Sequence, residues 1–283
     1  MFRNYLLIAI RNLIRQKGFS AINIIGLGIG MACFILIFIW VRHELSYDTF
    51  NEKADRLYRL VQTQHYSTGP LTTTSMPGPV ASDLRKDFPE ISNSAMDFEV
   101  NGVISYNDKV FMEEIRLADP AVFRIFTFTF LKGDPVTVFN DLNSIVITDK
   151  TATKYFGHEN PIGKILTING EHPFKVTGVI AETPTNSSLR FDYCIPFEYI
   201  KNFGFTVDKY GWNSYHCYVE LTPGTDFQMV NQKIKNYLML KSSDGDDPSD
   251  PSNYTVDLFL FPLLKIHLYA IGEYEGDIKY VYI

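Results

Sequence analysis

Glycines at 26, 28 and 30 in the stretch 23-NIIGLGIGMACF-34 offer most of a phosphate-cradling turn. A dinucleotide loop also needs a preceding strand, a third glycine at G-x-G-x-x-G spacing and an acid about 20 residues further on. Here the glycines recur every second residue, Met31 stands where the third glycine belongs, and residues 19–41 carry no charge. Other chemistry lacks its parts as well. The six histidines, at 43, 65, 158, 172, 216 and 267, stand singly, with no H-E-x-x-H and no pair at metal-ligand spacing. Asp244, Asp246 and Asp247 have the carboxylate density of a calcium loop but not its sixth-position glycine or twelfth-position glutamate, so 243–253 reads as a solvated loop. There is no G-x-S-x-G elbow, no S-x-x-K and no G-x-x-x-x-G-K-[ST]. Glu113 and Glu114 are neighbours in a strand, point to opposite faces and count as surface charges. Cys194 and Cys217 both fall in expected strands, where a disulfide and two buried free thiols are both open. No catalytic, cofactor or metal site is expected, and the chain reads as a non-enzyme.

The elements around those glycines explain them better. From Phe19 to Val41 run 23 uncharged residues, and a helix of that length spans about 34 Å, enough for a hydrocarbon core of roughly 30 Å. Trp40 sits at its far end, where an amphipathic ring is favoured. Arg3, Arg11, Arg15 and Lys17 precede it without an acid, whereas the remaining chain holds 22 basic and 32 acidic residues. The positive-inside bias puts the N-terminus in the cytoplasm and the body outside. That acidic body gives no footprint for nucleic acid. A cleaved signal peptide fits less well, because the apolar run is too long and strongest in its second half. Gly26 and Gly30 then form a small-x-x-x-small pair, with Gly28 thinning the neighbouring face, suited to close approach of another helix. Residues 1–18 place Leu6, Ile10, Leu13 and Ile14 on one helical face, a pattern for lying on anionic lipid.

Residues 42–283 contain no second run of membrane length. Strands are expected at 57–66, 102–107, 109–118, 144–148, 164–169, 173–182, 191–197, 214–221 and 254–261, and helices at 78–88, 120–126, 149–157 and 225–240, the last capped by Thr225. This is an α+β body, expected in two subdomains. Between span and body, 42–60 has no Gly or Pro to absorb motion. Tyr47, Asp48, Phe50, Arg56 and Tyr58 are the residues expected to fix helix to domain. Pro184, Asn186, Ser187 and Ser188 have turn chemistry, and a loop facing a partner is the other reading.

The order of landmarks resembles a known family: a basic stub and span, then 46-SYDTFNEKADRLYRL-60, 175-KVTGVIAETPTNSSLRFDYCIPF-197, Trp212 and 262-PLLKIHLY-269. It is similar to the N-terminal part of MacB-type, FtsX-like ABC transporter permeases of the Bacteroidota kind. The resemblance implies one transmembrane helix (19–41) after a cytoplasmic segment (1–18). It implies a periplasmic core domain (42–283) with a porter-like α/β subdomain and an inserted β-rich subdomain. It also implies a bacterial inner-membrane location, an ABC ATPase subunit as partner that engages through further C-terminal helices, a second permease copy or half, a periplasmic adaptor, and peptide, drug or lipoprotein cargo. Three further membrane helices are expected in the family, and 275-EGDIKYVYI-283 falls where the second would begin, so the chain reads as an N-terminal fragment. The alternative reading is a single-pass, membrane-anchored periplasmic binding or sensory module.

Overall fold

The computed structural model describes residues 2–242 and 255–269. The acidic run 243–253 and the stretch 275–283 lie outside the described residues. The chain divides into two compact units, Met1–Ser46 and Tyr47–Ile283.

The first unit is two helices, α1 (Phe2–Arg15) and α2 (Lys17–Glu44). They part at Gln16, whose φ of −108° and ψ of 57° are not helical. The helix α2 has 28 residues, about 42 Å of rise. It contains the expected span 19–41 and adds charged or polar residues at both ends. None of its residues is buried. A Cβ placed on Gly26, Gly28 or Gly30 would meet nothing within 4 Å. The glycines therefore lie in a helix, not in a turn, with open space beside each. Ser46 closes the unit by donating its hydroxyl to the His43 carbonyl at 2.7 Å.

The second unit is a sheet of 12 strands. In chain order these are β1 (Leu57–Tyr66), β2 (Gly69–Thr73), β3 (Met76–Pro77), β4 (Ile91–Tyr106), β5 (Lys109–Ala118), β6 (Phe130–Lys132), β7 (Ser144–Thr148), β8 (Ile165–Ile168), β9 (His172–Ile180), β10 (Tyr193–Pro196), β11 (Asn213–Leu221) and β12 (Thr255–Pro262). Helices α3 (Val80–Asp87), α4 (Val122–Ile125), α5 (Asp149–Phe156), α6 (Phe227–Ile234) and α7 (Tyr237–Ser242) complete it. The main path runs β12-β1-β11-β4-β5-β10-β7-β9-β6. Because β8 bridges β9 and β4, six strands close on themselves in the order β4-β5-β10-β7-β9-β8. Within the ring, β10 pairs with β5 only over Arg116–Ala118, in parallel.

Side-chain alternation sorts the core into two layers. Cys217, Val219 and Leu221 of β11 join the larger cluster, which α3, α5 and α6 cover with Leu84, Phe156 and Ile234. Tyr218 points the other way, into a smaller cluster with Leu57, Ala95, Phe123 and Cys194. Cys194 and Cys217 are thus free thiols in different layers, both buried. Burial pushes both thiols up from their usual range, which suppresses the reactive thiolate.

Most expected elements appear within one or two residues of their predicted bounds, and two differ. The strand expected at 102–107 starts at Ile91 and is 16 residues long. The helix expected over 225–240 is two helices, broken after Ile234. The break has a cause in the sheet edge: the Lys235 carbonyl accepts the Leu258 amide at 2.8 Å, and Asn231 Oδ1 accepts the Leu260 amide at 2.7 Å. Two outward amides of β12 are satisfied this way, and the edge is covered. The cap of α6 is Asp226, which accepts the Gln228 amide at 2.9 Å, not Thr225. Strands β2, β3 and β6 were not anticipated.

Candidate functional site

The second unit begins with a segment, 47–58, that is bonded into it at nearly every step. Asp48 takes a left-handed φ of 59°, a conformation Asp tolerates better than most residues, and its side chain is buried. Its amide donates to the Asn186 carbonyl at 2.9 Å. Its Oδ1 accepts the Ser188 amide at 2.9 Å and its Oδ2 accepts the Ser188 hydroxyl at 2.5 Å, with the Ser187 hydroxyl at 3.5 Å. Burial raises the Asp48 carboxyl above its ordinary range, and the Ser188 hydroxyl and amide, then Ser187 and His267, pull it back. The bonds offset part of the desolvation cost of a buried carboxylate.

Asn51 and the residues after it fasten the same segment to a second loop and a strand end. The Asn51 side chain donates to the Asp48 carbonyl at 3.1 Å and accepts the Thr127 amide at 3.0 Å. The Glu52 amide donates to the Thr127 hydroxyl at 3.0 Å, and Lys53 Nζ to the Arg124 carbonyl at 2.6 Å. A short 3-10 turn, Ala54–Arg56, presents Lys53 and Arg56 together to Glu220 at the end of β11, each at 3.1 Å. Asn93 donates to the other Glu220 oxygen at 2.8 Å, and the carboxylate is almost fully enclosed. A buried carboxylate with several donors is held firmly, and removing it would strand its partners. Tyr47 stacks on His267 with ring centroids 3.3 Å apart and planes 6° from parallel.

Of the residues singled out in the sequence, Tyr47, Asp48 and Arg56 therefore belong to one joint, and Asn186, Ser187 and Ser188 form its second side. Tyr58 stacks instead on Phe227 in the larger core, centroids 5.4 Å apart. Phe50 is half-buried, and Pro184 is exposed. Gly26, Gly28 and Gly30 belong to the first unit and have no part in this joint. Asn51, Lys53, Thr127 and Glu220 were missed. Only the three-residue spacing of Lys53 and Arg56 hinted that two cations share a side.

A polar row lies next to the joint. Arg116 of β5 pairs with Asp97 and Glu99 of β4 and donates to the Arg190 carbonyl at 3.2 Å. Beside it opens a cavity of about 430 Å³ between β5 and residues 182–192, with five carboxylates (Glu99, Glu113, Glu114, Glu182, Asp192) and three cations (Arg116, Lys150, Arg190) in its walls. Glu113 is paired with Lys154. The Thr183 hydroxyl is buried with no hydrogen-bond partner among the described residues. Three of the stretches that suggested a family, 46–60, 175–197 and 262–269, thus meet around Asp48, Ser188 and His267.

Residues 20–237 match the family described as the MacB-like periplasmic core domain. The chain belongs to this family. As a MacB-like permease part, it is a component of ABC-type transporters. The match includes both sides of the Asp48 joint, and His267 lies beyond it. A domain of a putative permease from Porphyromonas gingivalis superposes with a TM-score of 0.63 at 17% identity, covering 81% of this chain and 97% of that one, which shows the same fold. The periplasmic region of MacB from Actinobacillus actinomycetemcomitans gives a TM-score of 0.49 at 15% identity, covering 69% of this chain and 87% of that one. The extracellular domain of the noncanonic ABC-type transporter YknZ from Gram-positive bacteria gives 0.48 at 14% identity, over 70% and 99% of the two chains. Among curated proteins none matches this sequence.

Proposed function

We propose that this MacB-like chain is a non-catalytic permease component that carries ATPase-driven motion from the membrane to a periplasmic domain, and that the Asp48 joint is where the motion is handed over. On this reading residues 19–41 cross the bacterial inner membrane, 1–18 stay cytoplasmic and 42–283 form the periplasmic core domain. An ABC ATPase subunit supplies the energy. A second permease copy or half packs on Gly26, Gly28 and Gly30, whose side is open. The arginines of α1 meet anionic lipid, and a periplasmic adaptor receives peptide, drug or lipoprotein cargo.

The observation that carries this reading is the joint itself. The helix α2 ends at Glu44, and the first fully buried residue after it, Asp48, is bonded to a loop 140 residues away. A segment with its polar groups satisfied internally resists bending, so displacement of the chain at residue 47 is passed to 186–188 and not absorbed.

The test uses the permease that contains this chain, assembled with its ATPase in lipid nanodiscs. Amide exchange in residues 183–192 is expected to change when ATP is added. Asp48→Ala is expected to abolish that change while ATP hydrolysis continues. An identical ATP response in Asp48→Ala, or none in the unaltered protein, contradicts the reading.

A further inference from the structure

Beside β5 the sheet ring is open, and the opening has the form of a strand site. The strand β5 pairs with β4 along its whole length, Lys109 to Ala118. On its other side it pairs with β10 only at Arg116, Leu117 and Ala118. Since β10 runs parallel to β5, the residues before Tyr193 would lie beside 109–115 if the pairing went on. They turn away instead: Ser187 and Ser188 are bound to Asp48, and Arg116 spans the closing gap to the Arg190 carbonyl. The joint that fixes 47–58 thereby holds the loop off β5 and leaves the 430 Å³ cavity between them, a size in the range of ligand pockets.

The walls specify what fits. One wall is the unpaired edge of β5, and both Glu113 and Glu114, which project to opposite faces, line the cavity. The backbone edge between them therefore faces it as well, a template for an added strand. Val110 and Met112 extend the edge as exposed apolar side chains, 57% and 70% accessible. The far wall supplies Glu182 and the unpartnered Thr183 hydroxyl. Glu99 and Glu113 are already paired; of the remaining wall charges, the carboxylates Glu114, Glu182 and Asp192 outnumber the cations Lys150 and Arg190, so the walls keep a net negative charge. Charge complementarity selects a basic occupant.

We infer that the slot beside β5 receives an extended, basic polypeptide segment of a partner protein, which adds as a strand to residues 109–115 and sets its cationic side chains against Glu114 and Glu182. The occupant then lies against the loop that carries Ser187 and Ser188, next to the Asp48 joint. This inference stands on the edge and the slot and does not require the transport reading.

The test takes the full chain in nanodiscs and, as probe, a blocked heptapeptide alternating lysine and valine. Two controls are the same peptide N-methylated at alternate residues, which removes edge donors, and a glutamate–valine peptide. The lysine peptide is expected to bind, to slow amide exchange in 109–115, and to lose about tenfold in affinity on N-methylation, on exchange of lysine for glutamate, and in the double variant Glu114→Lys, Glu182→Lys. Both variant positions are exposed, and circular dichroism confirms their fold. Absence of binding, or binding without protection of 109–115, overturns the inference. So does affinity that survives N-methylation, which would mean charge adhesion alone. Protection of 109–115 that rises with protein concentration and no peptide overturns it in favour of a second copy.

Discussion

Segment 47–58 and strand β5 lie in the same compact unit and treat their polar groups in opposite ways. In the first, Asp48, Asn51, Lys53 and Arg56 all find partners inside the unit, and the segment is held from three directions. In the second, seven backbone positions have a sheet neighbour on one side only, with exposed apolar side chains along them. Buried polar groups cost free energy unless satisfied, so saturation marks a place selected to stay put. An open edge is a hazard for aggregation unless something covers it. The difference separates an internal joint from an external contact, and the two are connected: the loop that satisfies Asp48 is the one withheld from β5.

Breaking the saturated region should cost most. Asp48→Ala removes the acceptor for the Ser188 amide and hydroxyl and puts alanine at a left-handed φ, so urea unfolding of the full chain in micelles should show a loss of about 2–4 kcal/mol. Asp48→Asn, which keeps one acceptor and tolerates the φ, should lose less. Glu220→Ala should cost about 1–3 kcal/mol by leaving Lys53, Arg56 and Asn93 without their shared acceptor; Glu220→Gln, retaining some of those bonds, should fall between. A cost for Glu220→Ala within the noise of surface substitutions would show that the joint does not depend on β11.

A smaller effect is expected where a carboxyl sits at the near end of β5. Burial pushes Asp119 up to about 6, against the pull of the Met96 amide and Arg85, with Asp97 and Glu198 adding to the rise. Because the folded value lies above the unfolded one, this group's stabilising contribution is full below about pH 4 and is lost as pH rises through 6. Asp119→Asn keeps an acceptor for the Met96 amide and should flatten that dependence, by on the order of 1 kcal/mol after screening. Unfolding midpoints between pH 4 and 7 check it. Smallest of all, Met112→Lys on the open edge should change stability by under about 0.5 kcal/mol while reducing concentration-dependent light scattering. A large destabilisation there would mean that β5 is not an open edge.

Sequence pattern reached the parts whose signals are local. The uncharged run 19–41 announces α2, and alternation in 57–66 and 109–118 announces β1 and β5. It failed where distant residues change the meaning of local ones. Asn93, Asp97 and Glu99 make the first half of β4 look too polar for a central strand, yet Glu220 and Arg116 answer them from β11 and β5. The helix over 225–240 breaks because β12 claims the Lys235 carbonyl, which no window around Lys235 could show. Asp48 and Ser188 were each singled out, for separate reasons; that they meet depends on a contact across 140 positions. The slot was invisible, because it is the space between β5 and a loop that Asp48 holds away from it.

The direct test of the joint is a double-mutant cycle on Asp48 and Ser188. Asp48→Ala, Ser188→Ala and the combined variant are compared by urea unfolding of the full chain in micelles, with Thr185→Ala as an exposed control. A coupling of at least about 1 kcal/mol between Asp48 and Ser188, and none between Asp48 and Thr185, is predicted. Additive losses for Asp48 and Ser188 would contradict the account, because the two sides of the joint would then not hold each other.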